Sequence, residues 1–376
     1  MRPRHVSVFL PRPTPIYQNL LRQMLRGFRA AGVQADGACR LLPESQLRAW
    51  CRHHGSIAVF EMNRARCDVP SLSKDIRHIT WIVDNAGKSL DAFDGSDITY
   101  LFCHNWMGLY PHRSLHRVFP PGTCPIEYPR GRAELGFDVT FVGHIPNPWS
   151  EAELDRPLTP NKDYRFRDAL PELCRETRER WNHLYTVDGA LEIMQANALR
   201  ACGQRMALDD ALRYDICCRI SRQVNRTGLI DAVLCHTDSV ALYGPPNWLR
   251  WPRYAPYYRR YLETPAQMAD VYRNARINLH EGEGMHFRLL DAMSAGGFLF
   301  FREASHDRLP HGIRDYFEPY EHYVPFSLDD FGEKCARYSA DPAACERIRN
   351  RAAQEVRARH TWRHRAQQVL ADLAQL

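Results

Sequence analysis

The feature that most constrains the fold is a series of short apolar runs that alternate with segments of helical pattern. In the first third of the chain these runs are HVSVFL (5–10), SIAVFEMN (56–63), HITWIVDN (78–85) and ITYLFCHN (98–105). Nearly continuous apolar runs are typical of strands in parallel sheets, because both faces of such sheets are buried. After the first run, apolar residues recur at helical spacing until Gly32. The alternation predicts an α/β fold built on parallel sheets.

Three of these predicted strands end in polar residues. Asn63, Asp84 and His104 stand at or near the ends of their runs. Ligands of an open parallel sheet bind outside the carboxyl ends of its strands. The polar residues therefore predict one wall of a binding cleft.

The alternation begins a second time after a segment rich in proline and glycine, residues 117–136. The predicted strands of this second series are FDVTFVGHI (137–145), SVALYGP (239–245), RINLH (276–280), GFLFF (297–301) and HYVPFS (322–327). We place a domain boundary near residue 134, which gives an N-terminal domain of residues 1–134 and a C-terminal domain of residues 135–358. Residues 146–225 are charged and largely helical in pattern, and they predict a helical elaboration of the second domain. Residues 359–376 predict a final helix.

Composition narrows the class of protein. A chain of 376 residues with 44% apolar and 25% charged residues suits a globular protein of two domains. No apolar run approaches the roughly 20 residues of a membrane span, and the apolar run near the N-terminus is too short for a signal peptide. The twelve cysteines are scattered without a CxxC pair, so their spacing predicts neither a zinc site nor a redox pair. We expect reduced thiols and a cytoplasmic location.

The stretch LHEGEGMHFRLLDAMSAGGFLFF (279–301) carries more charge than a turn requires. We expect a helix to begin around Met285, after the closely spaced Gly282 and Gly284. The free N–H groups of a helix N-terminus, with glycines that allow close approach, form a site for a diphosphate. Arg288 and Asp291 are three residues apart on this helix, so one can bind phosphate while the other accepts from the hydroxyls of a ribose. An ordinary helix with an internal Arg and Asp pair is the alternative.

The spacing of Glu283 and Asp291, together with the AMSAGG that follows, resembles the Glu, seven residues, Glu signature of GT-B glycosyltransferases, with Asp in place of the second Glu. The order of TWIVDN, FVGHI, VALYGPPNW, VYRNARINLH, FRLLDAMSAGGFLFF and VRARHTWRHRAQQVL resembles that of bacterial CgeB-like glycosyltransferases. The resemblance implies two Rossmann-like domains that face a central cleft. It also implies a nucleotide-sugar donor bound mainly by the C-terminal domain, and no required metal. Glu283 would lie at the donor sugar, and Asp291 would hold the ribose.

Other residues acquire candidate roles within that resemblance. Gly143 and His144 end the first strand of the second domain and would lie beside the diphosphate, together with the turn at Gly284 and Met285. Tyr243 and Gly244 end the next strand, where related folds hold the nucleobase; the nearby Trp248 is either part of that wall or a core residue. The final helix is expected to pack back across the domain junction.

Two residues of the first domain are candidates for catalysis. A carboxylate at Asp84 could deprotonate an acceptor hydroxyl, or it could cap the next helix. His104 could contact the donor sugar or share the role of base, or it could be a hydrogen-bonded loop histidine.

The resemblance thus implies a metal-independent glycosyltransferase of the hexosyltransferase type. The acceptor would be a hydroxyl of a bacterial glycan, a glycoprotein or a small molecule, and no cofactor is expected because the nucleotide sugar is a substrate. Retention through Glu283 and inversion through Asp84 are both open. So are the roles of His280 and His286, peripheral association with a membrane, and the oligomeric state.

Other classes of protein fit less well. A nicotinamide enzyme, a hydrolase with a nucleophile elbow and a P-loop protein are unlike this chain, since GxGxxG after a first strand, G-x-S-x-G and a Walker loop are absent from the sequence. A non-catalytic protein that binds a nucleotide or a glycan remains an alternative. Nucleic-acid binding through the arginines of the last helices is another, although a nucleic-acid partner is not expected.

Overall fold

Two parallel sheets of six strands each organise the chain in the computed structural model. The structure describes residues 5–85, 88–131, 134–179, 187–209, 212, 214–282 and 284–376. One sheet lies before residue 119 and the other after residue 136. The α/β fold that the alternating pattern predicts is confirmed.

The first sheet contains the four predicted strands and two more. Its strands are β1 (His5–Phe9), β2 (Gln34–Ala38), β3 (Ala58–Met62), β4 (Arg77–Ile82), β5 (Ile98–Leu101) and β6 (Leu115–Val118), in the order β2-β1-β3-β4-β5-β6. The helices α1 (Pro15–Ala30) and α2 (Glu44–His54) connect the first three strands. The two strands that were not predicted, QADGA and LHRV, are the sheet edges, and both contain polar residues and are partly exposed. An edge strand has one neighbour and needs no continuous apolar run.

The second sheet reverses its winding direction at its first strand. The strands are β7 (Phe137–Val142), β8 (Val240–Tyr243), β9 (Tyr258–Arg260), β10 (Ala275–His280), β11 (Leu299–Arg302) and β12 (Val324–Phe326), in the order β12-β11-β10-β7-β8-β9. From β7 the chain winds outward to β9, and it then returns to place β10 on the other side of β7. Such a reversal leaves a crevice at the carboxyl ends of the two central strands, here β7 and β10.

The predicted helical elaboration is present between β7 and β8. It contains α3 (Glu151–Leu154), α4 (Phe166–Glu179), α5 (Val187–Cys202) and α6 (Ser221–Leu234), and a π-helical turn (Asp215–Ile220) leads directly into α6. It has an apolar core of its own, in which Leu158, Phe166 and Leu173 are almost fully buried. The remaining helices are α7 (Pro265–Asn274), α8 (Phe287–Ala295), α9 (Phe331–Ala340), α10 (Pro342–Arg359) and α11 (Trp362–Leu373). None of the described helices is long and apolar enough to cross a membrane.

The chain crosses between the domains twice, and the two crossing segments pair with each other. The Thr123 N–H donates to the His360 carbonyl at 3.0 Å, and the Trp362 N–H donates to the Thr123 carbonyl at 3.1 Å. The second crossing returns the chain to the first domain, where Trp362, Ala366 and Val369 of α11 are part of the apolar core beneath β1 and β4. The last helix therefore completes the core of the N-terminal domain.

An aromatic contact joins the first turn of α8 to the N-terminal domain. The ring of Phe287 stacks on Phe102 at 5.6 Å and lies 5.7 Å from Trp81, measured between ring centroids. Both partners come from the region of β4 and β5. The helix that follows the charged stretch is thus fixed against both domains.

Because α11 packs closely on α1, a methyl group added at Gly27 should destabilise the protein. A Cβ on Gly27 in α1 would lie 2.5 Å from the Trp362 carbonyl oxygen, whereas a Cβ on Gly228 in α6 would meet only Leu328, at 3.8 Å. We expect Gly27→Ala to lower the free energy of unfolding by about 1–3 kcal/mol, because backbone atoms must move apart. The matched control Gly228→Ala should raise it by about 0.5–1 kcal/mol, because alanine favours a helix. Urea unfolding followed by circular dichroism checks both; equal effects would contradict the close contact.

Candidate active site

The carboxyl ends of β7 and β8 touch each other directly. Gly244 has a φ of 142°, and a Cβ there would lie 2.2 Å from the Gly143 carbonyl oxygen. The same carbonyl accepts a hydrogen bond from the indole N–H of Trp248 at 2.8 Å, and Trp248 is fully buried. Tyr243 is 8% exposed and packs in a small apolar cluster with Leu262. Trp248 is thus a core residue, and the two glycines permit the close approach of two strand ends.

A buried carboxylate held by two arginines lies at the crevice between β7 and β10. Glu281 directly follows β10, and its Oε1 accepts from Arg226 Nη2 at 2.6 Å and from Arg288 Nη2 at 2.5 Å. Arg288 also donates from Nη1 to the Val142 carbonyl at 2.6 Å. Arg226 donates to the carbonyl of His144. The ends of β7 and β10, α6 and the start of α8 are therefore joined by one ion-pair cluster.

This cluster keeps a positive charge. Burial alone would raise the pKa of Glu281, but the charges of Arg288 and Arg226 outweigh burial and hold that pKa well below its usual range. Burial, followed by the positive charges of Arg226, Arg222 and Arg288, lowers the pKa of His144 to about 3. With the histidine neutral, two guanidiniums face one carboxylate. Such a centre attracts an anion.

The two histidines of the charged stretch are local hydrogen-bond acceptors. His280 Nδ1 accepts from the Gly282 N–H at 3.2 Å, and His286 Nδ1 accepts from the Arg288 N–H at 3.2 Å. Burial lowers the pKa of His280 to about 3 and that of His286 well below its usual range, so both rings are neutral near pH 7.

His286 is also the N-cap residue of α8, which begins at Phe287. The predicted start at Met285 was two residues early, because a histidine caps the helix where serine, threonine or aspartate would be the usual signal. Met285 is 4% exposed and lies in the apolar core. The backbone at Gly282 and Gly284 has φ values of 93° and 74°, which favour glycine.

A row of arginines extends from this cluster towards the first domain. Arg219, Arg222 and Arg226 recur at intervals of three and four residues along the π-helical turn and α6, so they lie along one face. Arg222 lies 3.9 Å from the Asp84 carboxylate across the cleft. Arg219 pairs with Glu153 at 2.5 Å and covers the ring of Trp149 at 3.6 Å.

A cavity of about 380 Å³ lies beside this row of arginines, outside the ends of β7 and β8. Residues that line it include His144, Asn147, Tyr214, Arg219, Arg222 and Arg250. Three guanidiniums and a single carboxylate, that of Glu153, are among its lining groups. The cavity is suited to an anionic ligand that also offers polar groups for hydrogen bonding.

Asp84 is held at the cleft by Asn63, which directly follows β3. Asn63 has a φ of 59°, and its Oδ1 accepts from the N–H groups of Val83 at 2.7 Å and Asp84 at 3.1 Å. The Asp84 side chain is 40% exposed. Asn63 thus holds Asp84 in a position where its solvent-accessible carboxylate lies opposite Arg222. Residues 86–87 lie outside the described residues, and the next described helical turn, Leu90–Ala92, has Ser89 rather than Asp84 at its N-cap.

His104 bridges the two domains near the glycine turn. Its Nε2 donates to the His306 carbonyl at 2.9 Å, and a Cβ on Gly284 would lie 3.3 Å from its Nδ1. Burial lowers the pKa of His104, so the ring is neutral and Nδ1 is an acceptor. Asp307, fully buried nearby, accepts from the Gly284 N–H at 3.0 Å, and burial raises its pKa to about 6. His104 therefore lies against the turn at which the sequence predicts the donor.

Asp291 lies apart from the arginine cluster, against the segment that crosses between the domains. Its Oδ1 accepts from the Thr123 hydroxyl at 2.6 Å, and the residue is 9% exposed. Burial raises its pKa to about 7. In this structure Asp291 fixes the interdomain segment, while Arg288 of the same helix faces Glu281.

The structure brings together Gly143, His144, Gly244 and Arg288, and it places His104 against Gly284. Glu283 lies outside the described residues. Three residues of the site, Glu281, Arg226 and Arg222, were not predicted from the sequence. The spacing of Arg219, Arg222 and Arg226 was a signal of a basic helix face, but the partners of those arginines are distant in sequence.

A comparison with protein families matches one segment in the second half of the chain. Residues 221–371 match the model of a family described as glycosyl transferase-like. The matched segment starts at α6 and contains the arginines and the carboxylate of the buried cluster. A comparison with curated protein sequences gave no match.

Solved glycosyltransferase structures share the fold along the whole chain. Sucrose-phosphate synthase from Thermosynechococcus elongatus has a TM-score of 0.53 at 10% identity, over 99% of this chain and 98% of that chain. HepE from Anabaena, in complex with UDP and glucose, has a TM-score of 0.55 at 10% identity, over 98% and 99%. AviGT4, a glycosyltransferase involved in avilamycin A biosynthesis, has a TM-score of 0.51 at 11% identity, over 100% and 98%. The chain has the predicted two-domain GT-B fold.

The raised pKa of Asp291 predicts how stability depends on pH. The folded-state pKa of about 7 exceeds the ordinary value of 3.8. The contribution of Asp291 to the free energy of unfolding is therefore fully present below about pH 4 and falls as the pH rises to 7. The loss amounts to at most about 4 kcal/mol, at about 1.4 kcal/mol per pKa unit. Asn at this position can still accept from Thr123 and has no charge to bury. Asp291→Asn should therefore gain stability relative to the unsubstituted protein between pH 4 and pH 7.

Urea midpoints measured from pH 4 to pH 8.5 check this expectation. The control Asp163→Asn, at an exposed position of the same domain, should follow the unsubstituted protein throughout. Parallel curves for Asp291→Asn and the unsubstituted protein would show that Asp291 is ionised with an ordinary pKa.

Proposed function

We propose that the protein is a glycosyltransferase that moves a sugar from a nucleoside diphosphate sugar to a hydroxyl acceptor. The observation that carries the proposal is the buried cluster of Glu281 with Arg226 and Arg288, which has an excess positive charge at the crevice between β7 and β10. The GT-B fold and the family match over residues 221–371 support it. The narrower resemblance to CgeB-like enzymes is part of the same proposal.

In this proposal the diphosphate lies between the row of arginines and the start of α8. Arg222 and Arg288 would neutralise its charge, and they would stabilise the greater negative charge that develops as the nucleotide leaves. The nucleoside would occupy the cavity of about 380 Å³ outside β7 and β8. The HepE structure holds UDP and glucose, which supports a nucleotide sugar as the class of donor.

Asp291 keeps its predicted role at the ribose within this proposal. A ribose hydroxyl would then replace the Thr123 hydroxyl as the donor to Asp291 Oδ1, which now accepts at 2.6 Å. Donor binding and the position of the interdomain segment would be linked through this exchange.

The acceptor would approach from the N-terminal domain. Asp84 is exposed to the cleft and is fixed by Asn63, so it is suited to take the proton of an acceptor hydroxyl in an inverting reaction. His104, with an acceptor nitrogen beside Gly284, is assigned to a hydroxyl of the donor sugar. Glu283 is assigned to the donor sugar in a retaining reaction. The configuration of the product, determined by NMR, distinguishes the two routes.

We propose that transfer requires no metal, because guanidiniums occupy the position where a cation would neutralise the diphosphate. Rates measured in EDTA and then with added Mg²⁺ or Mn²⁺ test this assignment. Equal rates support it, and activation by either ion would contradict it.

The arginine assignment predicts a specific loss of nucleotide affinity. Charge-assisted hydrogen bonds contribute about 1.5–3 kcal/mol each, so Arg222→Gln and Arg288→Gln should each weaken nucleoside diphosphate binding about 10- to 100-fold. Calorimetry with a panel of nucleoside diphosphates measures this loss. Arg253→Gln, which removes an arginine whose side chain is 64% exposed, is the control and should bind normally.

The same measurement separates the alternatives. Binding of any polyanion, with an affinity that falls steeply as salt is added, would favour a nucleic-acid-binding protein over a donor site. Tight binding of one nucleotide without turnover of any nucleotide sugar would favour the non-catalytic alternative.

The assignment of Asp84 predicts loss of turnover with retention of donor binding. Asp84→Asn should lower kcat by about 100-fold or more, because general-base catalysis typically contributes about 10²–10⁴-fold, while the nucleotide Kd stays nearly unchanged. The exposed Asp91→Asn in the same domain is the control. An Asp84→Asn enzyme that keeps most of its activity would exclude the inverting assignment and leave Glu283 to be tested by Glu283→Gln.

A further inference from the structure

Three metal-ligating side chains meet on the side of the first domain that faces away from the cleft. His5 Nε2 lies 3.1 Å from Asp36 Oδ2, and His54 Nδ1 lies 2.6 Å from the same oxygen. One ligand atom from each of the three residues lies within 4.8 Å of the other two. His5 is the first residue of β1, whereas the cleft lies beyond the other end of the strands. The group is therefore separate from the proposed active site.

The register between β1 and β2 and the turn at the end of α2 bring these three residues together. His5 pairs with Gln34 across the parallel strands, so Asp36, two residues further along β2, has its side chain on the same face as His5. His54 is the last residue of α2, and Gly55 ends that helix in the left-handed conformation with a φ of 63°. The turn brings the His54 ring parallel to that of His5, with 5.3 Å between their centroids.

Further contacts fix the orientation of both imidazoles. His5 Nδ1 forms a hydrogen bond with the Ser56 hydroxyl at 3.0 Å, which directs Nε2 towards Asp36. The His54 ring stacks on Trp50 at 4.7 Å. Ligating histidines in metal sites are typically oriented through their second ring nitrogen in the same way.

One oxygen of the carboxylate is buried without a partner. Asp36 Oδ1 has no hydrogen-bond partner among the described residues, although it is removed from solvent. The three side chains line a cavity of about 500 Å³, which is also lined by Arg29 and Gln34. Arg29 donates to the Ala35 carbonyl at 2.8 Å. A buried polar atom without a partner is costly, and a cation bound through both oxygens of the carboxylate would satisfy it.

We propose that His5, Asp36 and His54 bind a zinc ion. Two imidazoles and one carboxylate are a common ligand set for zinc, whereas Mg²⁺ and Ca²⁺ prefer oxygen ligands alone. Zinc would replace the two hydrogen bonds between the histidines and Asp36, with His5 Nε2, His54 Nδ1 and the Asp36 carboxylate as ligands. The cavity leaves room for water as the fourth ligand. The ion would join β1, β2 and α2, so its binding would stabilise the N-terminal domain.

Titration of the tag-free, metal-stripped full chain with Zn²⁺ tests the proposal. We expect one ion per chain at this site, and an increase in Tm as zinc is added. Anomalous diffraction at the zinc edge should place the ion within about 2.0–2.2 Å of the two ring nitrogens and a carboxylate oxygen. Asp36→Asn and His54→Gln should each weaken binding by more than about 100-fold, since loss of an outer partner alone costs about 10–100-fold.

His53→Gln is the matched control, because His53 is the exposed neighbour of His54 and is not one of the three ligands. It should bind zinc normally and keep the zinc-dependent rise in Tm. Circular dichroism without zinc establishes that each variant is folded. Nucleoside diphosphate affinity, measured on the same variants, should not change, so failure of the zinc proposal and failure of the proposed function give different results.

The proposal would be overturned if the unsubstituted protein bound no zinc, and two further results would also overturn it. In one, the Asp36→Asn variant binds zinc as tightly as the unsubstituted protein. In the other, the anomalous peak lies away from the three side chains. Either result would show that the three residues form a hydrogen-bond network without a metal.

Discussion

A carboxylate shared by two guanidiniums is the constraint on which the rest of the second domain depends. Glu281 is 4% exposed. Removing one partner of a buried ion pair lowers the free energy of unfolding by several kcal/mol. The partners of Glu281 come from α6 and from α8, so both helices must dock before the charge is satisfied. The helical elaboration is therefore tied to the same point as the ends of β7 and β10. One interaction sets both the packing of the domain and the charge of its crevice.

The first domain contacts the region of this ion-pair cluster through aromatic packing and a few polar contacts. Phe287 directly precedes Arg288, and its ring packs on Trp81 and Phe102 of the N-terminal domain. The same short turn therefore contacts the first domain on one side and the buried carboxylate on the other. Asp84 and His104 reach the cleft from the ends of β4 and β5. A change in the angle between the domains would move these two residues relative to the arginines.

The central strands and the fold class could be predicted because a strand that is buried on both faces must be almost wholly apolar. The edge strands β2, β6 and β9 were missed because exposure lets them carry polar residues. The start of α8 was placed two residues early because His286 is an unusual cap. The site was only partly predictable. Arg226 and Glu281 are 55 residues apart, and no local pattern pairs them. Asn63 and Asp84 are likewise joined only by the parallel pairing of β3 and β4.

The return of α11 to the first domain has a consequence for the order of events during synthesis. Trp362 lies 6.0 Å from Trp81 between ring centroids, and the Tyr100 hydroxyl donates to Asp372 at 2.7 Å. The core around β1 and β4 therefore stays open while the C-terminal domain emerges from the ribosome. Domains commonly fold in the order in which they are made. In this chain the second domain can close its core first, while the apolar face of the first sheet stays uncovered until the last helix has been made.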